Sequence, residues 1–185
     1  MRTVALAVVL IWCVCLSAPP RARSAQTRTG TNAAAVVPCD IHAYVVDKDP
    51  NGLNVRSGPA GTFDVVGNLP NQKVDGGIGV HITGSSGDWF RIDEAFEEGG
   101  EEERVFFKGV GWVYGPLLGS DGVGGGTNVY KEMSPKSRVV ARVPGDSGGL
   151  TLRGCKGRWT YVEYKKVKGW TAPGTLCANP LTTCP

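Results

Sequence analysis

Residues 53–70, LNVRSGPAGTFDVVGNLP, decide the fold. Short β-branched runs alternate here with glycine and proline turns, the pattern of brief strands joined by tight connections rather than of a helix. The stretch also returns. Residues 128–144 read NVYKEMSPKSRVVARVP, so that Asn54-Val55, Val65-Val66, Leu69 and Pro70 fall opposite Asn128-Val129, Val139-Val140, Val143 and Pro144. Gly87-Asp88-Trp89 recurs as Gly157-Arg158-Trp159, and Gly111-Trp112-Val113 as Gly169-Trp170-Thr171. One unit repeated with its turns in the same order argues for two copies of a small β domain.

The flanking runs agree. Tyr44-Val45-Val46, Val80-His81-Ile82, Trp89-Phe90-Arg91-Ile92 and Val110-Gly111-Trp112-Val113 read as strands of the first copy. Leu150-Thr151-Leu152, Trp159-Thr160-Tyr161-Val162 and Gly169-Trp170-Thr171 read as strands of the second. No window of helical length carries apolar residues at i, i+3, i+4 and i+7. The expectation is all-β, with two tandem small β-barrels, because closing a short sheet on itself removes its exposed edges. The predicted boundaries are a signal peptide at 1–24, a mobile leader at 25–38, domain 1 at 39–118, a glycine-rich linker at 119–126 and domain 2 at 127–185. The copies differ in length: Trp89 to Trp112 is 12 residues longer than Trp159 to Trp170. The extra segment, 93–104, holds seven acids and is expected to form an exposed hairpin tip or loop.

Arg2 precedes an apolar run from Val4 to Ala18 that is short for a membrane span, and Ala22-Arg23-Ser24 offers a cleavage site. Arg21, Arg23 and Arg28 follow the run rather than precede it, which keeps a retained anchor as the alternative. Without residues 1–24 the formal charge falls from +3 to zero, and what remains is divided. From Cys39 to Leu118 there are 13 acids and 6 bases, a net of −7; from Thr127 to Pro185 there are 10 bases and 3 acids, a net of +7. Such asymmetry speaks of partners, or of attraction between the halves. Docking of the two domains on each other is therefore expected. Cys39, Cys155, Cys177 and Cys184 remain after cleavage, an even number that suits an oxidising compartment. Three pairings are open; the one favoured is Cys155–Cys177 with Cys39–Cys184.

Leu53-Asn54-Val55-Arg56-Ser57-Gly58-Pro59, then Val65-Val66-Gly67-Asn68-Leu69-Pro70, Gly87-Asp88-Trp89 and Gly111-Trp112-Val113, resemble the bacterial SH3 (SH3b) domain family. The resemblance covers copy one apart from the acidic insertion. Copy two shares only the later half, since Tyr130-Lys131-Glu132-Met133 stands where the family has Arg-Ser-Gly-Pro. The resemblance implies SH3-like barrels in an exported, periplasmic or secreted bacterial envelope protein. It implies binding of peptidoglycan or a peptide, not catalysis; a module regulating an envelope enzyme is the alternative. Neither a cofactor nor a metal is expected, nor a nucleic acid partner.

Candidate ligand contacts are Asn54, Arg56, Trp89, Trp112 and Tyr114 in copy one, and Trp159, Tyr161 and Trp170 in copy two. Exposed rings beside a groove stack on sugars and peptides, although small barrels also bury aromatics. Asn54 and Arg56 have a structural reading too, tying a loop to backbone carbonyls. The basic stretch from Arg153 to Lys168 interleaves cations with Trp159, Tyr161 and Tyr164, which suits an anionic polymer. Two motifs invite other readings. Gly145-Asp146-Ser147-Gly148-Gly149 copies the nucleophile loop of chymotrypsin-like proteases, making a hydrolase using Ser147 the remote alternative. A glycine-rich turn explains it better, because neither His42 nor His81 has the sequence context of a protease base. Asp47-Lys48-Asp49-Pro50-Asn51-Gly52 begins like a calcium loop, yet position twelve is Gly58 where a glutamate is needed.

Overall fold

The computed structural model describes residues 35–71, 77–99, 104–145, 148–179, 181 and 184. Copy one supplies β1 (Val37–Val45), β2 (Leu53–Arg56), β3 (Val65–Leu69), β4 (Ile78–Ser86), β5 (Trp89–Glu97) and β6 (Val105–Tyr114). A 3-10 turn, Gly115–Leu117, leads to copy two. Its strands are β7 (Leu118–Gly122), β8 (Thr127–Tyr130), β9 (Val139–Val143), β10 (Leu150–Lys156), β11 (Trp159–Tyr164) and β12 (Val167–Thr171). A last short strand, β13 (Leu176–Cys177), pairs with β7. The fold is all-β, as the turn-punctuated runs predict.

The strands form one antiparallel sheet whose hydrogen-bonded path is open, in the order β3-β2-β6-β5-β4-β1-β7-β10-β11-β12-β8-β9. Read from either end, the path is the same. Six strands of copy one, from β3 to β1, are mirrored by six of copy two, from β9 to β7. The halves meet through their first strands, with Tyr44 opposite Gly119 and Val45 opposite Leu118. The tyrosine hydroxyl of Tyr44 donates to Asp121 Oδ1 at 2.7 Å across this seam. All described strands belong to the compact unit Asn32–Pro185.

The recurring glycines have local causes. Gly87 and Gly157 turn the β4–β5 and β10–β11 hairpins with φ of 59° and 56°, a region side chains disfavour. Gly111 and Gly169 let the strand carrying each repeat tryptophan lie against its neighbour. A Cβ on Gly111 would stand 2.2 Å from Val55 Cγ1, and one on Gly169 2.5 Å from the Tyr130 carbonyl oxygen. The Gly-Trp pair is thus a packing signature in both copies.

Alternation along the strands builds two apolar clusters. The larger holds Val55, Leu69, Ile78, Val80, Ile82, Phe90, Ile92 and Val113, all fully buried. The smaller is centred on Val129, Val143 and Val162. Strand β10 serves both, with Leu150 in the second cluster and Leu152 and Cys155 in the first. Ser85 ties the same strand to β4: its hydroxyl donates to the Cys155 carbonyl at 3.2 Å and accepts from the Cys155 N–H at 3.1 Å.

Several expectations are corrected. The disulfides are Cys39–Cys155 and Cys177–Cys184, not Cys155–Cys177 with Cys39–Cys184. Asp40 N–H donates to the Gly157 carbonyl and Gly157 N–H to the Pro38 carbonyl, which brings β1 beside the β10–β11 turn and its Cys155. That leaves Cys177 its near neighbour Cys184. Gly119 to Gly122 are not linker; they lie in β7, where Gly119 permits close approach of Tyr44 and Val46. In the sheet order β7 takes the place in the second half that β1 takes in the first. Val37 and Pro38, assigned to the leader, already belong to β1. The acidic insertion extends the β5–β6 hairpin, in line with the hairpin alternative, but it is not all exposed: Asp93 to Glu97 lie in β5, and Ala95 is fully buried against β4 and β6. Residues 100–103, residues 1–34 with the expected export segment, and Asp146 and Ser147 lie outside the described residues.

Candidate functional site

In copy one, β2, β5 and the end of β6 converge on a groove of about 280 Å³. It is lined by Asn54 and Arg56 of β2, Trp89 of β5, Tyr114 of β6, and Asp47 and Asp49 of the loop after β1. Trp89 and Tyr114 are cross-strand partners, and their rings lie tilted with centroids 5.4 Å apart. Directly opposed residues share a face of the sheet, so the pair forms one half-exposed aromatic wall. Arg56 Nη1 donates to the Phe63 carbonyl at 2.8 Å, fastening the 57–64 loop beside the groove. Asn54 accepts from Asn68 Nδ2 at 3.3 Å. The loop-tying reading of Arg56 and its position in the groove hold together: one N–H fixes the loop, and the guanidinium carries four more donors.

The acidic side of the groove is a turn held by its own carboxylates. Asp47 Oδ1 accepts from the Asp49 N–H at 3.0 Å, and Asp49 Oδ1 accepts from the backbone and side-chain N–H groups of Asn51. Such Asx turns shape the calcium-like stretch without an ion. Among the described residues no group of three or more His, Cys, Asp or Glu side chains is placed to hold a metal. The groove offers a carboxylate pair, a guanidinium and two rings, a set suited to an amphipathic ligand carrying both an amine and an acid.

Trp112 stands apart. It is 6% exposed, with Arg56 and Arg91 as cross-strand partners on either side. The Arg91 guanidinium is in turn tied to Thr83 Oγ1 and to the Thr83 carbonyl. Trp112 therefore packs the sheet and does not line the groove. Copy two arranges the same positions differently. Tyr130 replaces Arg56 and Tyr161 replaces Arg91 around Trp170, and all three are half-exposed. Tyr161 and Trp170 lie 5.0 Å apart, and Tyr130 meets Trp159 edge-on at 6.1 Å. The candidate residues Trp159, Tyr161 and Trp170 are thus brought together, away from the copy-one groove. Sequence reading missed Tyr130, although the repeat alignment sets it opposite Arg56, and saw Asp47 and Asp49 only as a calcium-like turn.

The two histidines were also missed as a pair. His42 of β1 and His81 of β4 are register partners with stacked rings 4.8 Å apart. His81 Nδ1 lies 2.8 Å from Asp93 Oδ1 and Nε2 lies 3.0 Å from Asp40 Oδ1. Both nitrogens meet a carboxylate oxygen, which only an imidazolium satisfies fully, by donating from each. Although partial burial works against its charge, the hydrogen bonds to Asp40 and Asp93 raise the His81 pKa overall. The His42 pKa is lowered by burial and by the adjacent His81. The hydrogen bond from His81 lowers that of Asp40.

No family model matches the sequence, and no curated protein matches it either. Solved structures similar to the chain include two from Trichomonas vaginalis. NlpC2 from Trichomonas vaginalis is 16% identical over 75% of this chain, and NlpC1 from the same organism 16% identical over 78%, each with a TM-score of 0.29. The chain spans about half the length of those structures, 48% of each.

Proposed function

We propose that this is a non-catalytic binding protein of the bacterial envelope, built from two divergent SH3b-like modules that coil as small barrels. The copy-one groove takes the ligand, a peptide stem of peptidoglycan or a similar short peptide. One observation carries the reading: Asn54, Arg56, Trp89 and Tyr114, singled out from separate stretches of sequence, line one groove together. The chemistry suits a peptide bearing both charges, since Asp47 and Asp49 complement an amine, Arg56 a carboxylate, and the ring pair the apolar stem between them. Two disulfides fit a compartment outside the reducing cytosol, and among the described residues no helix is long and apolar enough to cross a membrane. Both His81 nitrogens are engaged in carboxylate pairs, which leaves that ring no free nitrogen to serve as a base. Sedimentation with purified sacculi across a salt series tests the proposal. Binding at low salt that weakens with added salt is expected; a protein left in the supernatant at low salt contradicts it.

A second reading has its own observation. The β5–β6 hairpin carries the acidic insertion and leaves Val110 71% and Val105 43% exposed. Exposed apolar residues beside a charged tip suit docking on a protein, such as an envelope enzyme. Co-purification with one protein that is lost when residues 100–103 alone are deleted, with sacculi ignored, decides for this reading.

A further inference from the structure

We infer that the outer face of copy two is a separate binding site for an acidic glycan. Its platform is Tyr130, Trp159, Tyr161 and Trp170, four partly exposed rings on three adjacent strands. Three strands span about 10 Å at the usual spacing, enough for a disaccharide lying across the rings. Copy one shows that the platform is not required by the fold. There the central tryptophan is buried between Arg56 and Arg91; here tyrosines stand in both places and Trp170 is partly exposed.

The surroundings state the ligand's charge. Lys156, Arg158, Lys165, Lys166 and Lys168 are exposed around the rings, and Glu163 is the lone acid on β10 to β12. Glu163 is already held by Arg153 at 3.0 Å and Lys168 at 3.7 Å. The hairpin tip carries a stronger sign. Tyr164 pairs with Val167, so Lys165 and Lys166 form a two-residue turn, with φ of 48° and 70°. Both values lie where side chains are strained, and such turns favour Asn-Gly. Two adjacent lysines are the wrong choice for the turn: Lys165 lies over the Tyr164 ring at 5.1 Å, and Lys166 beside it is an exposed cation. Residues kept in strained geometry against local preference point to function. The tip lies about 13 Å along the strand from Trp170, so a chain stacked on the rings reaches it with its carboxylates. A nucleic acid fits less well, because two disulfides suit a compartment outside the reducing cytosol. This inference does not depend on the copy-one groove.

Titration of the intact protein with oligogalacturonate, a sugar chain with a carboxylate on each ring, tests it. Binding is expected, weakening as salt is raised. Trp170→Ala should weaken it by about tenfold or more, the usual effect of removing a stacking ring. The double variant Lys165→Asn, Lys166→Gly should also weaken it, while raising the melting temperature, which separates lost contacts from lost folding. Trp89→Ala, in the other groove, should leave it unchanged. No binding, or binding insensitive to both copy-two variants, overturns the site. Equal binding of a neutral cello-oligosaccharide overturns its acidic preference, and tighter binding of oligo-dT assigns the face to nucleic acid instead.

Discussion

Arg56 and Tyr130 occupy the same place in the two copies and set opposite outcomes for the tryptophan beside them. Flanked by Arg56 and Arg91, Trp112 is covered; flanked by Tyr130 and Tyr161, Trp170 is partly exposed. The sequence marks both tryptophans as equivalent, and so they are as positions in the sheet. Which one a ligand can reach depends on cross-strand neighbours far away in the chain, which no local pattern shows. The glycine before each tryptophan is a firmer local signal. Gly111→Ala would drive a Cβ into Val55, inside the larger apolar cluster. Overpacking of this kind costs about 1–3 kcal/mol, so a clear fall in the denaturation midpoint at unchanged m-value is expected. At the lysine turn the sign reverses: Asn-Gly relieves two left-handed backbones, and stability should rise by about 1–2 kcal/mol.

At the scale of elements, the strands were legible because turn residues and β-branched runs mark them locally. The partners of β1 and β7 were not. Each of these strands joins its own copy and also the other copy, through contacts that arise only when both halves are folded. For the same reason the glycine-rich stretch after Leu118 reads as a linker, and the cysteine pairing follows from strand order rather than spacing. The Cys39–Cys155 bond, at a sequence separation of 116, ties β1 to β10, whereas Cys177–Cys184 spans 7. Chain-entropy reasoning gives about 5 kcal/mol for the first and about 2–3 kcal/mol for the second. Replacing Cys39 and Cys155 by serine should therefore lower stability more than replacing Cys177 and Cys184, as read by chemical denaturation. The His81 cluster joins β1, β4 and β5 and makes stability depend on pH. Because the folded pKa of His81 is raised, its contribution is complete below the unfolded value of about 6.5 and is lost as pH rises through the folded value. His42, with a lowered pKa, acts in the opposite sense, losing its contribution as pH falls. Asp40, also lowered, loses its contribution only as pH falls through the acid range. The stability advantage of the native protein over His81→Gln should thus be larger at pH about 6 than at pH about 9. Melting curves of the two proteins at both values check this, and an equal gap at the two pH values refutes it.

At the scale of the whole molecule, two halves of mirrored strand order are joined edge to edge and differ in charge and in the side chains around their central tryptophans. The acidic half has a groove with Arg56 in place; the basic half has an aromatic face and a lysine turn. Sharing of β10 between the two apolar clusters predicts that the halves unfold in a single cooperative step, with tryptophan fluorescence and backbone circular dichroism giving coincident transitions. The charge division was visible in the sequence, but its consequence was not, because opposite net charges fit docked halves and separate ligands equally well. Assignment of wall binding to the copy-one groove is the central claim, and it is tested most directly by sacculus binding of the native protein beside Trp89→Ala and Tyr114→Ala. Loss of a half-exposed ring from a binding wall should weaken sedimentation with sacculi by about fivefold or more, with the melting temperature nearly unchanged. Native-like binding by both variants would contradict the assignment.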